Sequence, residues 1–483
     1  MGTLIMFVLL VEDEGDFIDE LRQVFSELAP SAALQVARSR SSAMKLIDKE
    51  FFDLIVLDLK IPTIDGALNA DPEHGHAVFA RAQAVAPGTP VFVLTGSPVE
   101  DFIQPMLSKQ QQVDIWGQGQ KVGNLTFLQK FHFDQCPDKL RPIVDGIIGL
   151  TDIELDRQGC ELSTPDDRLV RIFAKLNRGT FCRVAKLSGG LSNAVVLRLH
   201  LTDASGAIIH DAIAKLGSAE VVRAEGEKFE RLVARLDPSA TPRKLATLEF
   251  GARAQAGNFY SLARGFEASA FDVASWTEGR AAAAIRAVEQ ATKRWNDGVA
   301  QSRRTIREIR QRVMSDDNAA RLAAAHRIRW ANELEAKGIQ TKWAYIHGDF
   351  HGLNILISEQ GAVVIIDYGD VGDGPASLDP ITLELSLIFH PDGPFHPYRK
   401  GQVDWPTKEQ AMRWGDLDFY LAGCPSAEFI RECRAWADRV SVGKREISAC
   451  AYSYLMRQLK YDDVDKGIAL ALLDGVYAHF NDT

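Results

Sequence analysis

One segment near residue 350 places three polar side chains at the ends of short apolar runs. Its first part reads Tyr-Ile-His-Gly-Asp-Phe-His-Gly-Leu-Asn-Ile-Leu-Ile over residues 345–357, and its second part reads Val-Val-Ile-Ile-Asp-Tyr-Gly-Asp over residues 363–370. Short apolar runs bordered by glycine are typical of buried strands. The segment therefore predicts two core strands that carry Asp349, Asn354 and Asp367 on the loops beside them.

These three side chains suit phosphoryl transfer from ATP. One carboxylate accepts the proton of the attacking hydroxyl, while an amide and a second carboxylate hold Mg²⁺ on the nucleotide phosphates. The interval from Asp349 to Asn354 equals that of the kinase loop H-R-D-x-x-x-x-N. With His347-Gly-Asp in place of His-Arg-Asp, the segment resembles the aminoglycoside and choline phosphotransferases, which have a kinase-like fold. The resemblance implies Asp349 as catalytic base, and Asn354 and Asp367 as metal ligands.

The same resemblance implies further roles. Residues 183–199 read as a hairpin, and Lys215 follows in an apolar run that resembles the strand whose lysine binds the ATP phosphates. Glu225 on the next helix is the favoured partner of Lys215, with Glu227 as the alternative. His347 would orient the catalytic loop and Asp379 would buttress it, both as structural residues. The hairpin turn would bind nucleotide phosphates through Ser188, Gly189, Gly190, Ser192 and Asn193.

The first third of the chain alternates apolar runs with helical patterns. Five runs read as strands, over residues 4–11, 34–37, 54–57, 91–94 and 126–129. Between the first two, Phe17, Leu21, Val24 and Leu28 recur at helical spacing. This alternation predicts an α/β domain with a doubly wound, parallel, five-stranded sheet.

Polar side chains stand where these predicted strands end. Three carboxylates converging on one edge of a sheet require a cation, and Mg²⁺ is the natural occupant. The pattern resembles the receiver domain of two-component response regulators. The resemblance implies Glu12 and Asp13 as metal ligands, and Asp58 as both metal ligand and phosphoacceptor. It implies a switch formed by Thr95, Lys130 and Phe127.

Length and charge limit the remaining possibilities. A chain of 483 residues is too long for one hydrophobic core. A net charge of -10 argues against nucleic-acid binding, and no apolar run is long enough to span a membrane, so we expect a cytoplasmic protein. The expected domains are a receiver (1–150), a linker (151–167) and an α+β bilobal kinase-like domain (168–483), with a small lobe at about 168–265 and a large helical lobe at about 266–483.

The stretch 280–342 is predicted to be almost entirely helical and is basic, with 14 Lys/Arg against 7 Asp/Glu. Arg303, Arg304, Arg307 and Arg310 would then lie on neighbouring helical positions. Such a surface could bind an anionic substrate or nucleic acid, but a solvated face with internal salt bridges is the favoured interpretation.

Together the patterns predict a two-component signalling protein. Phosphorylation of Asp58, by a sensor histidine kinase or a phosphotransfer protein, would regulate an ATP- and Mg²⁺-dependent transfer to a hydroxyl acceptor, favoured to be a small molecule. One alternative is a catalytically silent adaptor that binds nucleotide or a partner protein. Another is a Ser/Thr protein kinase, although the chain lacks the usual Asp-Phe-Gly. A homodimer is also compatible with the receiver prediction.

Overall fold

Two compact units make up the chain. The computed structural model describes residues 5–96, 111–186, 195–262, 265–266, 268–277, 279–397 and 405–483. One unit comprises residues 1–226 with 243–262, and the other comprises residues 227–242 with 263–483. Of the helices in these described ranges, none combines the length and apolar character needed to cross a bilayer.

The first unit begins with a five-stranded parallel sheet, as the alternating pattern predicts. Its strands are β1 (Phe7–Val11), β2 (Ala33–Ala37), β3 (Leu54–Leu57), β4 (Val91–Thr95) and β7 (Leu125–Gln129), and a separate hairpin pairs β5 (Gln112–Val113) with β6 (Val122–Gly123). The strand order is β2-β1-β3-β4-β7, and neighbouring strands run parallel. Its helices are α1 (Gly15–Leu28), α2 (Arg40–Lys49), α3 (Pro72–Val85) and α4 (Cys136–Ile148).

Helices cover both faces of this sheet. Because successive strand residues point to opposite faces, Val8 and Leu10 pack with α1 and α4, whereas Leu9 and Val11 pack with α2 and α3. Strands buried on both faces read as continuous apolar runs. That is why the sequence alone locates four of the five strands to within one residue. The first strand was predicted from residue 4, which lies outside the described residues, but it begins at Phe7.

A six-stranded sheet completes the first unit, in the order β12-β13-β11-β10-β9-β8. The strands are β8 (Glu154–Asp156), β9 (Phe181–Lys186), β10 (Val195–Thr202), β11 (Ile208–Ser218), β12 (Lys244–Leu248) and β13 (Gln255–Ser261), accompanied by α5 (Thr164–Leu176) and α6 (Ala219–Leu232). Strand β8 lies inside the segment expected as a linker, and it pairs in parallel with β9. The expected linker is thus joined to this second sheet.

Buried contacts join the two sheets of the first unit. Arg168, on α5, donates from Nε to Asp53 Oδ1 at 2.7 Å and from Nη2 to Asp53 Oδ2 at 3.1 Å. Arg168 Nη2 also donates to the Ile5 carbonyl at 2.7 Å. Arg253 donates to the carbonyls of Ile47 and Asp48 at the end of α2. Both Asp53 and Arg168 are buried, so water is excluded from this bidentate pair.

The second unit is mostly helical around two small sheets. The sheets contain β14 (Ala268–Ser269), β17 (Ile355–Ile357) and β18 (Val363–Ile365) in one, and β15 (Gln301–Thr305), β16 (Gly338–Ile346) and β19 (Gly372–Pro375) in the other. The helices after α6 are α7 (Ala270–Val273), α8 (Arg280–Asn296), α9 (Ile306–Gln311), α10 (Asp316–Ala325), α11 (Ala331–Ala336), α12 (Leu378–Phe389), α13 (Lys408–Met412), α14 (Leu417–Tyr420), α15 (Ala427–Val440), α16 (Lys444–Gln458) and α17 (Lys466–Asp482). Every residue of α12 is buried, which makes it the central helix of this core.

The prediction of an almost continuous helical stretch over 280–342 is wrong. Arg303 and Arg304 lie in β15, which pairs antiparallel with β16, whereas Arg307 and Arg310 lie in α9. The four arginines therefore do not share one helical face. Arg310 is buried in an ion pair with a glutamate of α11, so it belongs to the core rather than to an exposed basic surface.

Candidate functional site

Acidic side chains gather where the strands of the parallel sheet end. Glu12 and Asp13 follow β1, and Asp58 follows β3. One carboxylate oxygen from each lies within 4.8 Å of the other two. Parallel strands end on the same edge of a sheet, so the predicted convergence follows directly from strand direction.

Lys130 bridges two of these carboxylates. Its Nζ lies 2.8 Å from Glu12 Oε2 and 2.9 Å from Asp58 Oδ2. The ammonium also lies 4.2 Å from the centre of the Phe17 ring, a cation–π contact that the sequence did not suggest. Phe17 was assigned only to the apolar face of α1. The lysine is thereby fixed beside the carboxylate predicted to accept phosphate.

The acidic cluster has the properties of a divalent cation site. Burial, and then the charge of Asp58, raise the pKa of Glu12 to about 7. Burial likewise raises the pKa of Asp13 and of Asp58. Asp13 Oδ1 is buried and has no hydrogen-bond partner among the described residues. Oxygen ligands of this kind and density suit Mg²⁺, which would offset the mutual repulsion.

The two remaining switch positions lie on neighbouring strands. Thr95 is buried at the end of β4, and Phe127 is half-buried in β7. The pairing of β4 with β7 places Val93 opposite Phe127 and Thr95 opposite Gln129. Thr95 and Phe127 therefore lie on adjacent strands, two positions apart in register.

Lys215 and Glu225 form an ion pair in the second sheet of the first unit. Lys215 Nζ, on β11, lies 3.5 Å from Glu225 Oε1, on α6, and each side chain is 12% exposed. The Tyr260 hydroxyl donates to Glu225 Oε1 at 3.2 Å. Glu227 is exposed. The predicted phosphate-binding turn, with Ser188, Gly189, Gly190, Ser192 and Asn193, lies outside the described residues.

In the second unit, Asp379 holds the loop that carries Asp349. Its Oδ2 accepts from His347 N at 2.7 Å and its Oδ1 accepts from Gly348 N at 3.1 Å. The His347 ring contacts the Ile366 carbonyl through Nε2 at 3.0 Å. Gly348 has φ of +85°, and a Cβ there would lie 2.6 Å from the carbonyl oxygen of Asp370. Only glycine fits this turn.

A hairpin brings the two predicted metal ligands of this unit together. Strands β17 and β18 pair with Ile355 opposite Ile365, and Ile366 N donates to the Asn354 carbonyl at 2.9 Å. Asp367 follows immediately, with φ of +64°. A positive φ is uncommon for a residue other than glycine and clusters at functional sites. Asn354 Nδ2 donates to the Asp349 carbonyl at 2.8 Å, which leaves its Oδ1 as the atom able to bind a cation.

Two family models match separate parts of the chain. A profile of the response regulator receiver domain matches residues 8–115, and a profile of the phosphotransferase enzyme family, APH, matches residues 183–402. The chain joins a receiver domain to a phosphotransferase-family domain. The prediction of these two families is therefore confirmed, as is the fold class.

Solved structures similar to each half are distant in sequence. A CheY-like receiver domain from Methanospirillum hungatei JF-1 is 16% identical over 29% of this chain and 97% of its own, with a TM-score of 0.21. The receiver domain of sensor histidine kinase PA1611 from Pseudomonas aeruginosa PAO1 is 17% identical over 30% and 99%, with a TM-score of 0.22. Aminoglycoside phosphotransferase APH(4)-Ia is 13% identical over 62% and 93%, with a TM-score of 0.33. No curated protein matches the chain.

The sequence did not indicate two neighbours of Asp349 in the second unit. Arg457, on α16, places Nη2 3.2 Å from Asp349 Oδ1. His390, after α12, lies beside the His351 ring with 4.4 Å between the ring centroids and a tilt of 36°. His351 Nε2 lies 3.6 Å from Asp349 Oδ2. Burial, and then the nearby His351, lower the pKa of His390 to about 4, so this ring is neutral at pH 7.

We expect Mg²⁺ to stabilise the receiver domain more at pH 8 than at pH 5.5. The pKa of Glu12 is raised from 4.5 to about 7, so the folded state holds a proton that the unfolded chain has lost. Without metal, stability therefore falls as pH rises from about 4.5 to about 7. Mg²⁺ binds the ionised carboxylates and adds about 1.4 kcal/mol per tenfold excess over its Kd. Calorimetry of the full chain in Mg²⁺ or EDTA, at both pH values, measures the difference in Tm.

The control for this experiment is Asp19→Asn, since Asp19 is an exposed carboxylate of α1 that pairs only with Arg22 among the described residues. It should keep the Mg²⁺ response, whereas Asp13→Asn should lose it. An equal Mg²⁺ effect at both pH values would show that Glu12 does not titrate in this range.

Proposed function

We propose that this protein transfers the γ-phosphoryl group of ATP to a hydroxyl acceptor, a small molecule, and that phosphorylation of Asp58 regulates the transfer. The observation that carries the proposal is the hairpin of β17 and β18. It places Asn354, which hydrogen-bonds the Asp349 backbone, beside Asp367. A phosphotransferase-family profile over this region supports it.

Asp349 would act as the base. It is about one-third exposed, so an acceptor hydroxyl can reach it. The acceptor oxygen forms a bond to the γ-phosphorus as the bond to the β–γ bridging oxygen breaks, and the hydroxyl proton passes to Asp349. Asn354 and Asp367 would hold Mg²⁺, which when bound neutralises charge on the phosphates. Their fixed positions on the hairpin would keep these ligands aligned.

Lys215 would bind the phosphates of ATP. Its ammonium is held by Glu225, which in turn accepts from the Tyr260 hydroxyl. An ion pair that fixes a lysine in one orientation reduces the entropy lost when the phosphates bind. The requirement for ATP and Mg²⁺, rather than another phosphodonor and metal, is part of this proposal.

In the receiver domain, Asp58 would take a phosphoryl group from a sensor histidine kinase or a phosphotransfer protein. A carboxylate oxygen of Asp58 forms the bond to phosphorus as the bond to the donor atom breaks. Glu12 and Asp13 would hold Mg²⁺, and Lys130 would balance the added charge. A phosphoryl group on Asp58 would then compete with Glu12 for Lys130. Thr95 and Phe127 would respond to this change of partner.

Strand β3 connects the predicted phosphoacceptor with the second sheet of the first unit. Asp58 follows β3, and Asp53, at its other end, accepts from Arg168 on α5. These two carboxylates lie about 16 Å apart along an extended strand. We infer that a shift at Asp58 reaches the second sheet of the first unit through this strand and the Asp53–Arg168 pair.

The test is ADP release from Mg²⁺·ATP with a panel of hydroxyl acceptors, with and without acetyl phosphate. We expect acetyl phosphate to change the rate several-fold in the wild type and not in Asp58→Asn, because asparagine cannot be phosphorylated. Asp19→Asn, an exposed carboxylate elsewhere in the domain, should respond like the wild type.

Three other outcomes would contradict the proposal. An unchanged response in Asp58→Asn would exclude regulation through this residue. Transfer to peptides rather than to small molecules would identify a protein kinase. ATP binding without turnover on any acceptor, in both conditions, would favour a silent adaptor.

A further inference from the structure

A permanent positive charge faces the proposed catalytic base. Arg457 lies in the last turn of α16 and its Nη2 is 3.2 Å from Asp349 Oδ1, with 20% of the side chain exposed. Most of α16 is buried in the core of the second unit, including the residues just before Arg457. The helix therefore fixes the direction of this arginine towards Asp349.

Tyrosine and histidine side chains surround this pair of charges. Tyr461 hydrogen-bonds Arg457, and Tyr454 lies close enough to interact with both Arg457 and Asp349. The adjacent, tilted rings of His351 and His390 complete the group. Arg457 keeps its positive charge throughout the physiological pH range, because a guanidinium does not lose its proton in proteins.

Two other carboxylates in this region lie near histidines. Asp392 lies 4.0 Å from His390 Nδ1, and Asp463 lies 3.9 Å from His396 Nε2. The Asp462 and Asp463 charges act on Lys466. A polycationic acceptor needs carboxylates beside the catalytic base, whereas here the group next to that base is a guanidinium. A cation bound at this position would be repelled by Arg457.

We propose that the acceptor is a hydroxyl compound carrying an anionic group, a carboxylate or a phosphate, and that Arg457 binds this group. This inference rests on the proposed function of Asp349. Guanidinium binds carboxylate and phosphate oxygens in a bidentate manner, with more donors than its contact with Asp349 uses. An anionic acceptor would replace Asp349 as partner of Arg457, which frees the Asp349 carboxylate for the acceptor hydroxyl.

The experiment compares acceptors that share a carbon skeleton and differ in charge. One set is glycerol, glycerate, glycerol 3-phosphate and 3-amino-1,2-propanediol, and another is glucose, gluconate, glucose 6-phosphate and glucosamine. ADP release from Mg²⁺·ATP gives kcat and KM for each. The carboxylate and phosphate members distinguish the two anionic sources.

We expect an anionic member to be the best acceptor in its set. Arg457→Gln should raise KM for that member about 10–100-fold and abolish its advantage over the neutral member, because a charged hydrogen-bond partner is lost. Arg457→Lys should restore part of the affinity, which a purely structural role would not predict. Arg445→Gln, the same change on an exposed arginine of α16, should have no effect.

Two results would overturn this inference while leaving the proposed function intact. One is a cationic or neutral member as best acceptor, and the other is an anionic acceptor whose KM is unchanged in Arg457→Gln. Turnover with no member of either set, despite ATP binding, would instead count against the proposed function and remove the basis of the inference.

Discussion

Asp349→Asn is expected to lower kcat about 10²–10⁴-fold, the usual contribution of a positioned general base. Asparagine keeps the size of the side chain and accepts hydrogen bonds, but it cannot take the acceptor proton. The loop should keep its shape, because Asp379 holds it through the backbone N–H groups of His347 and Gly348. ATP affinity should therefore change little. Initial rates of ADP release and nucleotide titration calorimetry measure the two effects separately.

The matched control for this variant is Asp370→Asn. Asp370 is an exposed aspartate three residues after Asp367, and none of the proposed steps uses it. Its replacement should leave kcat within about twofold of the wild type, as for most surface substitutions. Equal losses in the two variants, or full activity in Asp349→Asn, would contradict the role of Asp349 as base.

Arg168→Met is expected to destabilise the first unit by about 3–5 kcal/mol, because it leaves Asp53 buried without its partner. Both side chains of the pair are 3% exposed, so water cannot replace the lost hydrogen bonds. Asp53 Oδ2 also accepts from Phe7 N at 2.8 Å, which ties the same carboxylate to the start of β1. The loss should therefore spread into the parallel sheet.

Hydrogen exchange followed by mass spectrometry resolves this effect within the full chain. Amide protection in peptides from β1 and β3 should fall by roughly two to four powers of ten, the equivalent of about 3–5 kcal/mol. Arg22→Met is the control, because Arg22 and Asp19 form an exposed pair on α1 that contributes about 0–1 kcal/mol. Unchanged protection in Arg168→Met would exclude this pair as a structural joint.

If the Asp53–Arg168 pair also transmits the state of Asp58, the response to acetyl phosphate should weaken in Arg168→Met while nucleotide binding persists. A full response in the destabilised variant would assign the pair to stability alone. The two readouts together separate the stabilising role of the pair from the proposed signalling role.

The parallel sheet and the local geometry of the predicted catalytic segment could be inferred from the sequence. Strands such as β1 and β3 are buried on both faces, so they read as uninterrupted apolar runs with their acidic residues at one end. The short intervals that link Asp349 to Asn354, and the hairpin that leads to Asp367, are local features. Local spacing is preserved in folding, and hence these positions were predictable.

Contacts between residues far apart in the chain became visible only in the tertiary structure. Strand β15 has no apolar alternation and forms because β16 pairs with it, which explains why its arginines were misread as helical. Arg168 meets Asp53 across 115 positions, and Arg457 reaches Asp349 from a helix that the sequence identified only as part of a helical lobe. These contacts depend on how whole helices and strands pack, and the periodicity within either element does not predict them.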